Sequence, residues 1–489
     1  MTTAAARPRP AVLGVVAVGL AAAVCVLVRL PLMNLPLDPD EGGYALVAHR
    51  WAQGAALYSP GAWVDRPPGL MLVFRWVGDL AYSQTGLRAA AAVAAVVLTV
   101  AAASAAWALS GRRAGVVAGL LTAVVSAGAW VQGYQLNGEL LAAAVGACGV
   151  AVTLWWRRGS LAVPWLVLGG ALAGAAPLMK QSGWDGLMVV LAVAAASSGR
   201  IRALPAALLG ALVPLGATAG WAAVAGWDRW WYALARFQAE VSAGQPADRR
   251  FPSLWHGLVH VTPDLGLLLI AAALAAVLTW PDRRRTWPAL LWPLAAAVPA
   301  ATGPFGHPHY WVQVVAPAAV LAAQLVPAVR RVSAPLRWVA RGALAAALLA
   351  PLVGQAYLLA HSPEQRVTVL SSDHRLDANP SVAAWLRAHS RPSDQVYALA
   401  ASADLYLLAD RGTTFPYLWY EPVQRVPGAP ALLRSWLASG ERPRFVVVYQ
   451  RPQDVDPSGA LSEVLARRYR EVAKVDGYEV LERLTAPTP

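Results

Sequence analysis

Long apolar runs alternate with short arginine-bearing links through the first three-quarters of the chain, and the pattern stops near Ser362. Runs close to the length of a bilayer crossing recur at 11–31, 87–109, 114–132, 138–155, 161–179, 184–198, 203–225, 264–280, 286–302, 309–328 and 337–360. They predict an all-α polytopic membrane protein of about 11 transmembrane helices. Two stretches after the first run depart from the pattern. Residues 40–54 read as one amphipathic helix, and 68–83 as an interfacial or re-entrant one, because Arg75 and Asp79 interrupt its apolar positions. A longer outer loop is expected over Trp227 to Pro263. Beyond Ser362 the charge density rises. SVAAWLRAHS and ADLYLLADR read as helices, QVYALA and RFVVVYQ as strands, and REVAKVDGYEVLERL as a hairpin turning at Asp476-Gly477. The expected division is therefore a membrane domain over 1–361, with its first outer loop at 32–86, and a small α/β domain over 362–489. The closing TAPTP is expected to be disordered, and no internal repeat is evident.

Composition sharpens this picture. Apolar residues make up 57% of the 489, charged residues only 14%, and mean hydropathy is +0.46; a soluble chain carries nearer a quarter charged residues. The net charge of +13 could be read as a nucleic-acid signal, but its placement excludes that partner. Arginines gather at Arg112-Arg113, Arg157-Arg158, Arg200/Arg202, Arg283 to Arg285, and Arg330-Arg331 with Arg337 and Arg341. These are the links that fall inside if Arg7 and Arg9 are cytoplasmic. Anionic membrane lipids are the expected partners. The same count places the 32–86 loop and the C-terminal segment outside the cell membrane. Cys25 and Cys148 lie in apolar runs, so neither a disulfide nor a thiolate metal site is expected. The arginine and alanine bias is that of a bacterial, GC-rich coding sequence.

Candidate chemistry concentrates between Asn34 and Leu70, where Asp38, Asp40, Glu41, Asp65 and Arg66 share one short stretch. Carboxylates at a membrane surface are costly unless they meet a cation, a proton donor or water. Such a triplet can supply a general base or hold a divalent cation, Mg or Mn. The plainer reading is a solvated loop in which Asp40 caps a helix beginning near Glu41. Arg66 precedes Pro67-Pro68, which stiffen the chain and fix where the guanidinium points; that group suits a phosphate. Glu139 opens an apolar run at its outer end, where a glutamate favours a helix N-terminus or faces the outer vestibule. Lys180 is one of two lysines in the chain. Its outer position runs against the arginine pattern and fits phosphate binding as well as simple snorkelling. His307, His309 and Tyr310, with Tyr44, are candidates for a polar substrate rim; H-P-H lacks a third nearby metal ligand. No phosphate-binding glycine loop or dinucleotide fingerprint occurs.

Taken together, DPDEGGYALVAHRWAQGAALY, then DRPPGL, the helical array and an outer C-terminal segment resemble the GT-C glycosyltransferases that use polyprenyl-phosphate sugars. The resemblance is to the bacterial aminoarabinose-transferase and protein O-mannosyltransferase group. It is sharp over residues 38–70 and otherwise one of layout. It implies transfer of a sugar from a polyprenyl-phosphate donor to a cell-envelope lipid, glycan or protein on the outer face. Asp40 then stands at the acidic position beside the reacting centre, with Glu41 or Asp38 as substitutes. Arg66 stands where the family contacts the lipid phosphate, and Glu139 at its second acidic position, sharing a metal with Asp40 or orienting the acceptor. A transporter or lipid flippase is the alternative class, although such proteins place charges near mid-membrane in two related halves.

Overall fold

In hydrocarbon every backbone N–H must find its partner within its own segment, so apolar runs become helices. The computed structural model describes residues 10–484 except 245, 304 and 372. Arg7, Arg9 and the TAPTP end lie outside the described residues. Among those described, seven helices are long and apolar enough to cross a membrane. The expected count of about 11 divides as follows. The runs at 264–280 and 286–302 fall in one apolar stretch, Asp248–Thr302, and those at 161–179 and 184–198 form the shorter helices Trp165–Leu178 and Asp185–Ala195. The run at 114–132 forms a helix only over Arg112–Val125, followed by turns to Asn137. The expected outer loop 227–263 is also largely helical, because Ala247–Thr279 is one helix through Pro252 and Pro263.

The chain forms two compact units. The first comprises Met1–Met33, Ala89–Gly220 and Ala247–Ala360. Small residues bring its helices close: a Cβ on Gly186 would stand 2.9 Å from Gly146 Cα, and one on Gly149 2.6 Å from the Gly169 carbonyl oxygen. The turns after Val125 are non-helical backbone among apolar helices, and two buried charges hold them. Arg29 Nη2 donates to the Ser126 carbonyl at 2.6 Å and to its hydroxyl at 2.9 Å, while the Val131 N–H donates to Asp264 Oδ2 at 2.8 Å. The sequence offered no sign of either role. Arginines gather at one end of this unit. Arg157 donates to the Arg284 and Arg285 carbonyls, Arg158 to that of Trp107, and Arg285 to that of Leu109. Arg158 and Arg285 cap the C-terminus of helix Gln84–Ser110, where cations are favoured; Arg157 ties its own helix end to the start of Arg283–Thr302. Helix Gly138–Arg157 carries Arg157 at this end and Glu139 at the other, 20 residues long, or about 30 Å.

The second unit comprises Asn34–Arg88, Trp221–Pro246 and His361–Pro489. It thus joins the first loop and a middle segment to the C-terminal segment, a different partition from a single boundary at 361/362. Its sheet has the order β1-β2-β4-β3: β1 (Val396–Ala398) is parallel to β2 (Phe445–Val448), and β4 (Tyr478–Arg483) pairs antiparallel with β2 and with β3 (Tyr469–Val475). The hairpin turns at Asp476 and Gly477, with φ of 43° and 90°, the positive values that a two-residue turn requires. Pro39–Ala52 and Pro68–Ala81 are helices, close to the expected 40–54 and 68–83. The cap of the former is Asp38 rather than Asp40. Asp38 Oδ1 accepts from the Asp40 N–H at 2.9 Å, and Glu41 Oε2 accepts from the Asp38 N–H at 3.1 Å. Asp38 lies one residue before Pro39, which tolerates the first helical position because its missing N–H is not needed there. Gly42 and Gly43 let this helix meet the Asp404–Ala409 helix: a Cβ on Gly42 would stand 2.2 Å from Asp404 Cα.

Candidate functional site

The second unit gathers the first-loop charges into a chain of contacts. Asp40 and Tyr44 lie one helical turn apart on the same face, so the Tyr44 hydroxyl donates to Asp40 Oδ2 at 2.7 Å. Arg66 Nη2 stands 3.5 Å from that same oxygen, and its Nη1 is 2.5 Å from Asp65 Oδ2. Its guanidinium lies over the Tyr44 ring, 5.6 Å from the centroid. The Tyr58 hydroxyl donates to the Arg66 carbonyl at 3.0 Å, anchoring the residue ahead of Pro67-Pro68. From the middle segment, Gln238 Nε2 donates to Asp65 Oδ2 at 2.6 Å. The side chains of Asp40 and Arg66 retain 34% and 18% exposure, so a ligand can reach both.

Glu41 is different. It is 2% exposed and paired with Arg88, itself fully enclosed, and Arg88 also donates to the Leu35 and Pro36 carbonyls. This carboxylate fastens the helix start to the chain before and after it. Enclosure raises the Asp38 carboxyl well above the usual carboxylate range, with Asp40 repulsion adding and the Asp40 N–H opposing. Burial likewise raises the Tyr44 phenol, against the pull of Arg66, so the hydroxyl stays a proton-bearing donor. Arg88 and Gln238 were not foreseen because they join the cluster across 47 and 173 positions; Tyr58, eight residues from Arg66, was not singled out either.

The first unit holds its own polar group. Asn137 caps helix Gly138–Arg157, accepting from the Leu140 N–H at 2.8 Å, and Glu139 sits in the first turn. Glu139 Oε1 is 2.9 Å from Lys180 Nζ and 3.8 Å from His309 Nε2. His309 Nδ1 is 3.1 Å from Gln132 Oε1, and Lys180 lies over the Tyr310 ring at 5.4 Å. His307 stacks on His309 at 5.3 Å. The structure therefore brings Glu139, Lys180, His307, His309 and Tyr310 together, and adds Gln132, which nothing in the sequence singled out.

Among the described residues, no group of three His, Cys, Asp or Glu side chains is arranged to hold a metal ion. Asp40 already faces Arg66, and Glu139 faces Lys180, so each carboxylate has a cation.

No family model and no curated protein matches the chain. Solved structures do. ArnT from Cupriavidus metallidurans bound to undecaprenyl phosphate matches with TM-score 0.65 and 18% identity, over 96% of this chain and 99% of its own. The Archaeoglobus fulgidus oligosaccharyltransferase tethered with an acceptor peptide matches with TM-score 0.52 and 15% identity, over 94% of this chain and 72% of its own. AglB from the same organism, in complex with an inhibitory peptide and a dolichol-phosphate, matches with TM-score 0.50 and 14% identity, over 89% and 69%. The fold of this multi-pass membrane chain is the GT-C fold that its first-loop residues implied.

Proposed function

We propose that this chain is a membrane glycosyltransferase that moves a sugar from a polyprenyl-phosphate donor to a cell-envelope acceptor. The acceptor is a lipid, glycan or protein on the outer face of a bacterial membrane. In this reading the N-terminus is cytoplasmic and the C-terminal segment extracytoplasmic. The observation that carries it is the reachable pair of Asp40 and Arg66, 3.5 Å apart on a stretch stiffened by two prolines.

The pair supports an exchange. A donor phosphate is a better partner for a guanidinium than one carboxylate oxygen at 3.5 Å, because it offers bidentate, charge-assisted bonds. On arrival it draws Arg66 from Asp40, which is then free to take a proton. The acceptor oxygen attacks the anomeric carbon, its proton passes to Asp40, and the carbon–oxygen bond to phosphate breaks. The departing phosphate oxygen keeps the bonding electron pair, and Arg66 stabilises the negative charge that develops there. Preorganised positive charge there is worth several kcal/mol, on the order of what one oxyanion donor supplies. One displacement inverts the anomeric centre. Glu41 is committed to Arg88, which leaves Asp40 as the base. Lys180 already neutralises an enclosed carboxylate, Glu139, so the reading rests on Arg66.

Mass spectrometry of envelope glycolipids, glycans and glycoproteins tests this in a deletion strain complemented with wild type or Asp40→Asn. Loss of one sugar from one acceptor, restored by wild type alone, supports the reading and names both substrates. An intact sugar profile with a lipid accumulating on one leaflet replaces it with the flippase class. Sidedness is read separately: Gly440→Cys should react with an impermeant thiol reagent on intact cells, and reaction only after lysis overturns the outer-face assignment.

A further inference from the structure

The first-loop helix Pro39–Ala52 lines a cavity with the face turned away from Asp40. Asp40 and Tyr44 occupy one side; Leu46, His49, Arg50 and Gln53, the last just past the helix end, occupy the opposite one. That opposite side walls a cavity of about 600 Å³ within the second unit, closed by Tyr82 and by the 410–414 segment of the C-terminal region. Its size is that of an ordinary small-molecule site.

The lining reads as a set of hydrogen-bonding planes around a flat wall. The His49 and Tyr82 rings stack at 4.9 Å with 30° between planes, a platform for the C–H face of a sugar ring. The Tyr82 hydroxyl makes no hydrogen bond among the described residues. Burial raises its pKa, with Arg50 opposing and Asp410 adding, so it remains a proton donor. Asp410 is exposed, held in the left-handed region at φ 53°, with its carboxylate free to accept. Arg50 spends two of its donors on the Thr413 and Phe415 carbonyls and has five in all. Gln53 adds an amide beside His49. The other arginine, Arg411, turns its donors to Ser390 and to the carbonyls of Ala409, Asp410 and Arg387, and does not face a ligand. Arg50 and Asp410 thus offer a donor and an acceptor of opposite charge on the same cavity. Planar guanidinium, carboxylate and amide groups around a flat aromatic wall are what paired hydroxyls on a pyranose or furanose can satisfy.

We propose that this cavity is a saccharide-binding subsite that holds a second sugar unit of a glycan acceptor while its reacting hydroxyl is presented elsewhere. His49 lies nine residues along the helix from Asp40, about 14 Å at the usual rise, so a single sugar cannot serve both positions. The word acceptor rests on the transferase reading; saccharide binding does not.

The test uses the full chain in nanodiscs and saturation-transfer NMR with methyl glycosides and disaccharides of mannose, galactose, glucose, N-acetylglucosamine and arabinose. At least one probe should receive saturation. Gly412 lines the cavity and a Cβ there meets nothing within 4 Å, so Gly412→Trp places bulk at the cavity wall without a backbone clash and should weaken binding at least tenfold. Should Gly412→Trp fail to fold, Gln53→Ala, at an exposed position, should weaken binding at least threefold. No saturation from any probe, or wild-type binding by a folded Gly412→Trp, overturns the subsite. Binding that Gly412→Trp removes, in a chain that transfers no sugar, upholds the cavity and removes only its link to an acceptor.

Discussion

Two polar groups in this protein are built from the same three parts. In the first-loop group Asp40 meets Arg66, which lies over Tyr44; in the membrane-helix group Glu139 meets Lys180, which lies over Tyr310. They differ in access and tightness. Asp40 keeps 34% of its side chain exposed and its cation stands at 3.5 Å, while Glu139 keeps 3% and its cation stands at 2.9 Å. A loose, reachable pair can trade one partner for a ligand. A tight, enclosed pair exists because neither charge tolerates that environment alone. In the proposed reading, similar residues therefore serve exchange in one place and anchoring in the other.

The comparison breaks most sharply on turnover. Asp40→Asn keeps the shape and deletes the proposed base, so the transfer rate should fall about 10²- to 10⁴-fold with the unfolding temperature unchanged. A comparable rate loss in Glu139→Gln with unchanged stability would erase the distinction. The expectation for Glu139→Gln is instead a stability loss of about 3–5 kcal/mol, because Lys180 is left without its counter-charge; thermal unfolding in detergent measures it.

Stability against pH comes next. Burial pushes the Asp404 carboxyl, packed against Gly42 of the first-loop helix, up to about 7. Its folded value lies above its unfolded one, so the native state keeps a proton that the unfolded state has lost. This contribution is complete below about pH 4 and is lost as pH rises through about 7, on the order of 4 kcal/mol in all. Asp404→Asn should flatten unfolding curves over that window, and an unchanged slope would remove Asp404 as the cause.

Smaller effects resolve the exchange itself. Arg66→Ala should weaken binding of a polyprenyl phosphate about 10- to 100-fold, the worth of a charge-assisted bond, read by competition with a labelled lipid phosphate. Lys180→Ala should weaken it less, and the reverse order would exchange the roles of the two groups. Tyr44→Phe removes one neutral donor from Asp40 and should slow transfer by roughly three- to tenfold, measured at saturating donor.

Much of this was legible in the chain. The first-loop helix and its interfacial successor came from short-range patterning, and so did the Asp476-Gly477 hairpin. Position just beyond the first apolar run marked Asp40, the two following prolines marked Arg66, and the family resemblance singled out both. The cap was misread by two residues because Asp38 and Asp40 are equally good capping side chains. Only the backbone shows that the helix starts at Pro39. The separate role of Glu41 was hidden because its partner, Arg88, lies 47 residues away at the start of an apolar run.

By itself, then, the sequence determined that this is a helical membrane protein with a polar first loop. Span length is set by bilayer thickness and backbone satisfaction, both of which act locally along the chain. Tertiary structure decided which charge answers which. Asp65 and Gln238 meet across 173 positions, and Arg29 and Ser126 across 97. Such pairs follow no period. They form because an enclosed charge must be paired or hydrogen-bonded by whatever the fold brings near it.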